Sequence, residues 1–301
     1  MYHGLTEDKS CDDWTQIHPD EFKKQMLYIK ENYDVISISD MLDIFKNKKT
    51  RLHLAVVTFD DGYRSVYETA FPILRELGIP ATVYITSNFI GNDRKDVRFI
   101  WPDYVRVLLV SSRLSTIDLS HFKLGNLDIS DPLRQRISVN RIIEHLKLIG
   151  SSEKNNIISY LEEKSPGMID HDLFPAYHPM TWEEVKRLST SDLISIGAHT
   201  RNHPILSRIK IDELEGEISG SKQDIENRIE TDVHDFAYPN GRMIDINDEA
   251  IEIAKRGFRS AVTTFDGHNR PDRNPYLLGR VGVGRNLAVD NFKLVLAGIS
   301  Q

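Results

Sequence analysis

Apolar residues along the chain gather into short unbroken runs separated by stretches with helical patterning. The runs are VISI at 35–38, LHLAVVTF at 52–59, ATVYIT at 81–86, LISIGAH at 193–199, HDFAYP at 234–239 and FRSAVTT at 258–264. Unbroken runs, unlike alternating ones, predict strands covered on both faces, as in a parallel sheet. Between them, residues 64–77 (RSVYETAFPILREL) place apolar side chains at helical spacing and stop at Gly78, a C-cap signal, with Pro80 beyond. Thr181 followed by Glu184 reads as a capping box opening the helix WEEVKRL. Residues 212–229 predict a long amphipathic helix, and 247–256 another, closed by Gly257. Strand and helix alternating through short links predict βαβ units and a parallel barrel, open or closed.

One region breaks this rhythm. From about residue 93 to 178, stretches such as WPDYVRVLLV and VNRIIEHLKLIGSSEKNNIISYLEE predict helices and loops without a strand. The expectation is a helical insertion tied to its flanks, within a single domain spanning 1–301.

Composition mainly excludes. The 301 residues are 40% hydrophobic and 28% charged, the make-up of an ordinary globular chain. A net charge of -7 and a pI of about 5.9 argue against a nucleic-acid partner. Cys11 is the only cysteine, so an internal disulfide and a thiolate metal cluster are excluded. No stretch approaches the ~20 apolar residues of a membrane span. MYHGLTEDKSCDD has neither a basic n-region nor an apolar h-region, so the default expectation is a cytoplasmic protein. Nothing in the sequence speaks to oligomeric state.

Two motifs carry candidate chemistry. In AVVTFDDGY, a buried run ends in Asp60 and Asp61, whose mutual repulsion calls for a positive partner. In SIGAHTRNHPIL, His199 and His203 follow a strand and precede Pro204, on a loop where α/β barrels gather their active sites. Taken singly, each motif has a bland reading: Asp-Gly is a common turn, and an isolated HxxxH is more often a pair of solvent histidines. Together, two imidazoles and one carboxylate make a three-ligand site with a position left open, as catalytic zinc requires. The second carboxylate is then free to act as base. FAYPNGR at 236–242 adds a rigid turn able to present a backbone N–H to an oxyanion, although an ordinary strand-to-helix turn fits it equally.

TFDDGY, the H-T-x-x-H of His199, Thr200 and His203, and FAYPNG, in this order, resemble the polysaccharide deacetylases, the NodB-homology domain of carbohydrate esterase family 4. The resemblance implies a distorted (β/α) barrel of about seven parallel strands, a divalent metal, most often Zn2+, and hydrolysis of N-acetyl groups on amino-sugar residues of an acetylated glycan. It further implies Asp60 as catalytic base, Asp61, His199 and His203 as metal ligands, and the Tyr238 backbone N–H as oxyanion donor. Exopolysaccharide or lipopolysaccharide assembly is the implied setting. O-acetyl ester hydrolysis, amide hydrolysis on a non-sugar substrate, and a non-catalytic glycan-binding domain are the competing readings.

The C-terminal text, LLGRVGVGRNLAVDNFKLVLAGIS, lacks the leucine-histidine motif that supplies the family's general acid. Some members have instead a tyrosine-histidine pair on the N-terminal strand. Tyr2-His3 matches that pair, which makes His3 the candidate acid, helped if a nearby carboxylate raises its pKa; a disordered terminal histidine is the competing reading. Arg280 is expected at another strand's C-terminal end, where its charge would orient Asp60, against the plainer reading of a surface arginine. Trp101 is a candidate sugar-stacking platform, with buried core the favoured role for Trp14, Trp101 and Trp182 alike.

Overall fold

The computed structural model describes residues 1–9, 11–47, 53–165, 167, 169–265 and 267–298. It divides into two compact units. The first comprises Met1–Arg98, Ala176–Ser207 and the chain from Ile211 onward; the second comprises Phe99–Pro175 with Arg208–Lys210.

In the first unit the N-terminal stretch forms β1 (Gly4–Leu5), β2 (Gln16–Ile17), α1 (Pro19–Asn32), β3 (Asp34–Val35), α2 (Ile38–Lys46), β4 (Leu54–Ala55) and β5 (Val57–Phe59). A turn of π-helix at Val66–Ala70 runs into α3 (Phe71–Leu77), followed by β6 (Ala81–Ile85). Gly78 caps α3 at φ 64°, the left-handed conformation that glycine adopts at least cost.

The second unit contains α4 (Trp101–Ser111), β7 (Thr116–Leu119), β8 (Gly125–Asp128), α5 (Pro132–Leu146) and α6 (Ser151–Lys164). The antiparallel β7–β8 hairpin departs from the helices and loops expected here. TIDL alternates exposed and buried, and Ile117 and Leu119 share an apolar core with Trp101, Leu127, Ile142 and Leu161. Trp101, 9% exposed and covered by Lys154 Nζ 4.8 Å from the ring, is core and no sugar platform.

Back in the first unit follow α7 (Trp182–Ser189), β9 (Ile194–Ala198), α8 (Ile211–Ile229), β10 (Asp235–Ala237), α9 (Asp248–Gly257), β11 (Ser260–Val262) and α10 (Val289–Leu296). The Thr181–Glu184 capping box opens α7: Glu184 N donates to Thr181 Oγ1 at 3.2 Å, and Thr181 N to Glu184 Oε2 at 2.8 Å. Of the expected strand VISI, only Val35 is in a strand, because Ser37 caps α2 and turns Ile38 into its first residue. Leu52, in the run LHLAVVTF, lies outside the described residues.

The sheet that positions the site is parallel, in the order β11-β10-β9-β6-β5. Further parallel bridges, Tyr2 to Phe59 and Leu278 to Val262, add one segment at each edge. Those two segments meet each other: Met1 N donates to Val281 O at 2.8 Å, and Val283 N donates to Met1 O at 2.9 Å. The sheet thereby closes on itself as a ring of seven parallel members, which leaves it without a free edge. Phe59, Val83, Phe236 and Ala261 are fully buried along it, which explains the unbroken apolar runs.

Candidate active site

Strand ends deliver the polar residues. Asp60 and Asp61 follow β5, His199 follows β9, Tyr238 follows β10, and Arg280 lies just beyond the Leu278 bridge, all at C-terminal ends of parallel strands.

Asp61 sits at φ 73° in a three-residue turn closed by a Gly62 N–H to Asp60 O hydrogen bond of 3.0 Å. Thr200, His203 and Asn240 also hold φ of 55–65°. Non-glycine residues in this region carry about 1–3 kcal/mol of strain each and persist where their surroundings fix them. Here the strain buys convergence: Asp61, His199 and His203 each offer a ligand atom within 4.8 Å of the others, and all three are buried.

His199 Nε2 lies 3.4 Å and His203 Nε2 3.3 Å from the same atom, Asp61 Oδ1. His199 Nδ1 is 2.7 Å from Ala237 O, a contact that requires the proton on Nδ1 and leaves the Nε2 lone pair facing Asp61. Asp61 Oδ1 is buried and accepts no hydrogen bond from the described residues. An orphaned carboxylate oxygen opposite an imidazole lone pair is costly unless a cation sits between them, so these residues fit a divalent metal. Without that ion, burial pushes the Asp61 carboxyl up, but the two histidines outweigh it and hold it well below the usual range. Burial pushes His199 down, and Asp61 and Asp60 bring it above its ordinary value.

The His199–His203 loop is held from outside. Glu217 of α8 accepts from Arg201 N at 3.0 Å and Asn202 N at 2.9 Å through Oε2, and from Asn202 Nδ2 at 2.6 Å through Oε1. Asp224, two turns further along α8, accepts Arg201 Nε at 2.6 Å and Ser87 Oγ at 3.1 Å. Gly220 lies between these carboxylates, and a Cβ there would meet Arg201 Cζ at 2.6 Å. Sequence reasoning missed Glu217 and Asp224, because acidic residues on an amphipathic helix read as a solvated face.

Asp60 and Arg280 form a buried fork, Nη1 to Oδ1 at 2.6 Å and Nη2 to Oδ2 at 2.7 Å. Arg280 Nε donates to Thr263 O at 2.9 Å, and its guanidinium lies 5.6 Å from the centre of the Tyr84 ring. Burial pushes the Asp60 carboxyl up; Arg280 and His199 more than offset this, so it stays below the ordinary range and ionised.

His3 is ordered, on the segment where Asp60 N donates to Tyr2 O at 3.0 Å. Its Nδ1 is buried without a hydrogen-bond partner, and Asp61, Asp60, Arg280 and His199 all act on its charge. The expected rise in its pKa is reversed: burial lowers it, and the aspartates do not overcome that loss of hydration. Tyr238 does not offer the expected free amide. Its N–H donates to Val262 O at 3.1 Å, as the next rung of the β10–β11 ladder.

Barrels with two aspartates after one strand and a His-x-x-x-His loop after another form a recognisable class, the polysaccharide deacetylases. That family's sequence profile matches residues 47–108 and 149–260, more than half of the chain, and the protein belongs to it. YxkH, a Bacillus subtilis protein assigned by name to the polysaccharide deacetylases, is 21% identical over 295 residues, covering 97% of this chain and 73% of that protein. A poly-beta-1,6-N-acetyl-D-glucosamine N-deacetylase of Escherichia coli is 30% identical over 82 residues, 27% of this chain and 12% of that protein. The fold is shared with the Streptococcus pyogenes deacetylase PplD (TM-score 0.62, 18% identity, 100% of this chain and 96% of that one). It is shared equally with IcaB from Ammonifex degensii (TM-score 0.62, 17% identity, 99% and 94%). Among the described residues, no helix is long and apolar enough to cross a membrane.

Proposed function

We propose that the protein is a metal-dependent hydrolase that removes N-acetyl groups from amino-sugar residues of a glycan, in exopolysaccharide or lipopolysaccharide assembly. The observation that carries this reading is the buried Asp61 Oδ1, which accepts no hydrogen bond from the described residues and faces both His199 Nε2 and His203 Nε2. These three residues would hold the ion, and zinc suits two imidazoles and a carboxylate. When bound, such an ion polarises a carbonyl and lowers the pKa of water to ~7.

The chain's own residues supply the proton transfers. Asp60, kept ionised and aimed by Arg280, accepts the proton of the attacking water. The oxyanion donor passes from Tyr238 to Asn240: Pro239 has no N–H, and the Asn240 amide donates to none of the described residues. The departing amine needs a proton to leave. His3 delivers it from its ring N–H and is restored by the proton that Asp60 has taken, so one proton moves from water to amine.

Acetyl-ester hydrolysis on the same scaffold is the second reading, favoured by the lowered pKa of His3, since an ester's leaving group needs less protonation. Acetate release by the zinc-loaded protein, from β-1,6- and β-1,4-linked N-acetylglucosamine oligomers and from O-acetylated xylan, separates the two. The amide reading expects release from an oligomer. Release from the ester alone supports the second reading, and release from none of them leaves a non-catalytic glycan-binding domain.

A further inference from the structure

Trp14 belongs neither to the metal cluster nor to a core. The residue is 53% exposed, against the buried role expected from the sequence. Its ring makes a T-shaped contact with His3, with centroids 5.2 Å apart and planes at 78°. His3 follows Tyr2, whose carbonyl accepts from Asp60 N at 3.0 Å, so the indole packs on the residue next to the segment that holds Asp60.

The backbone that carries the indole is held in place. Trp14 O accepts from Arg285 N at 2.9 Å, Gly4 N donates to Thr15 O at 3.2 Å, and Gln16 N donates to Asp13 O at 3.1 Å. Arg285 reaches further, from Nη2 to Lys9 O at 3.1 Å. Gly284 packs flush against the residue: a Cβ there would overlap Trp14 O and meet Trp14 Cε3 at 2.9 Å. The indole N–H donates to none of the described residues. A large apolar ring on an anchored backbone, packed against Gly284 and His3 with much of its surface in water and a spare donor at its edge, suits a ligand with both an apolar face and hydroxyls. A pyranose ring is such a ligand, with C–H groups on its faces and hydroxyls around its rim.

We infer that Trp14 is the stacking platform for an N-acetylhexosamine ring adjoining the residue being deacetylated, so that this enzyme reads a chain and not a single sugar. The inference rests on the glycan reading above. It predicts that binding of the adjoining ring depends on Trp14 whether or not a metal is loaded.

The test is a fluorescence titration of metal-free protein with pentamers of β-1,4- and β-1,6-linked N-acetylglucosamine. The parent is expected to show saturable quenching with one of them. Isothermal titration calorimetry, which needs no Trp14 signal, should show W14A raising Kd about tenfold, as truncating a central aromatic anchor does. W14F, which keeps a ring, should bind with intermediate strength, and circular dichroism should show both variants folded. Equal Kd for W14A and parent, or no binding of either pentamer by the parent, overturns the platform. Acetate release with an unchanged KM in W14A also removes the platform and leaves the deacetylase reading intact. Trp14-dependent binding without acetate release does the reverse.

Discussion

Arg280 and Asp60, 220 positions apart in sequence, meet as a buried two-pronged ion pair with both oxygens engaged, at 2.6 and 2.7 Å. Truncating one member leaves the other charged and buried, which costs about 3–5 kcal/mol. Arg280→Ala should therefore lose stability on that scale, measured by urea unfolding. Arg280→Lys keeps the charge and loses the fork, so it should recover part of the stability while kcat stays reduced. Parent-like turnover in Arg280→Lys would show that aiming Asp60 is unimportant.

The adjacent aspartates should separate under substitution. Asp60→Asn keeps the shape and removes the proton acceptor, so zinc should stay bound while turnover falls by ~100-fold or more. Asp61→Asn should lose zinc affinity, because the orphaned oxygen becomes a neutral amide. Stoichiometric metal analysis with kcat measurements reads both, and equal zinc loss in the two variants would mean that the roles are wrongly divided.

Glu217 touches the metal cluster only through the loop, by accepting two successive backbone amides, Arg201 N and Asn202 N. Glu217→Ala should weaken zinc binding by about 10–100-fold, the usual effect of removing a group that orients ligands. Chelator competition measures this independently of turnover. Unchanged affinity would mean that the strained loop holds itself.

His3→Ala should keep the metal and the fold, lose most hydrolysis of an N-acetyl amino sugar, and cleave an acetyl ester at nearer the parent rate, because alkoxides leave with less help. Parent-rate amide hydrolysis in the variant would remove His3 from the proton path.

Asp235, the buried first residue of β10, lies at the strand end away from this chemistry and accepts from Ser260 Oγ at 2.7 Å. Burial raises its carboxyl pKa, with Ser260 and Arg259 only partly offsetting that. The unfolded chain then loses this proton first as pH rises, so the stability loss due to Asp235 builds up between its ordinary pKa and its raised one and persists above both. Asp235→Asn, which can still accept from Ser260, should gain on the parent as pH goes from 4 to 7. Urea unfolding across that range would show a constant difference if the idea is wrong.

Local sequence determined much of this protein. The runs at 81–86, 193–199, 234–239 and 258–264 each contain a strand, because burial on both faces requires apolar residues at every position, a pattern visible without neighbours. Helix ends at Gly78 and Thr181 were legible because caps are satisfied within a few residues. Asp61, His199 and His203 were legible as a set because ligand chemistry restricts residue type, and strand ends restrict where such residues sit.

Closure of the barrel decided the rest. It brings Arg280 from beyond Leu278 onto Asp60 and sets His3 beside the same cluster, relations that no spacing encodes. The ladder commits the Tyr238 amide to Val262, a pairing fixed by register between strands rather than by the motif FAYPNG. Burial turned the His3 pKa downward although its neighbours are carboxylates, since a charge loses its hydration whatever its sequence context. Trp14 carries the same letter as Trp101. One is half exposed beside His3 and the other lies inside a core, because only the folded chain determines which ring the water can still reach.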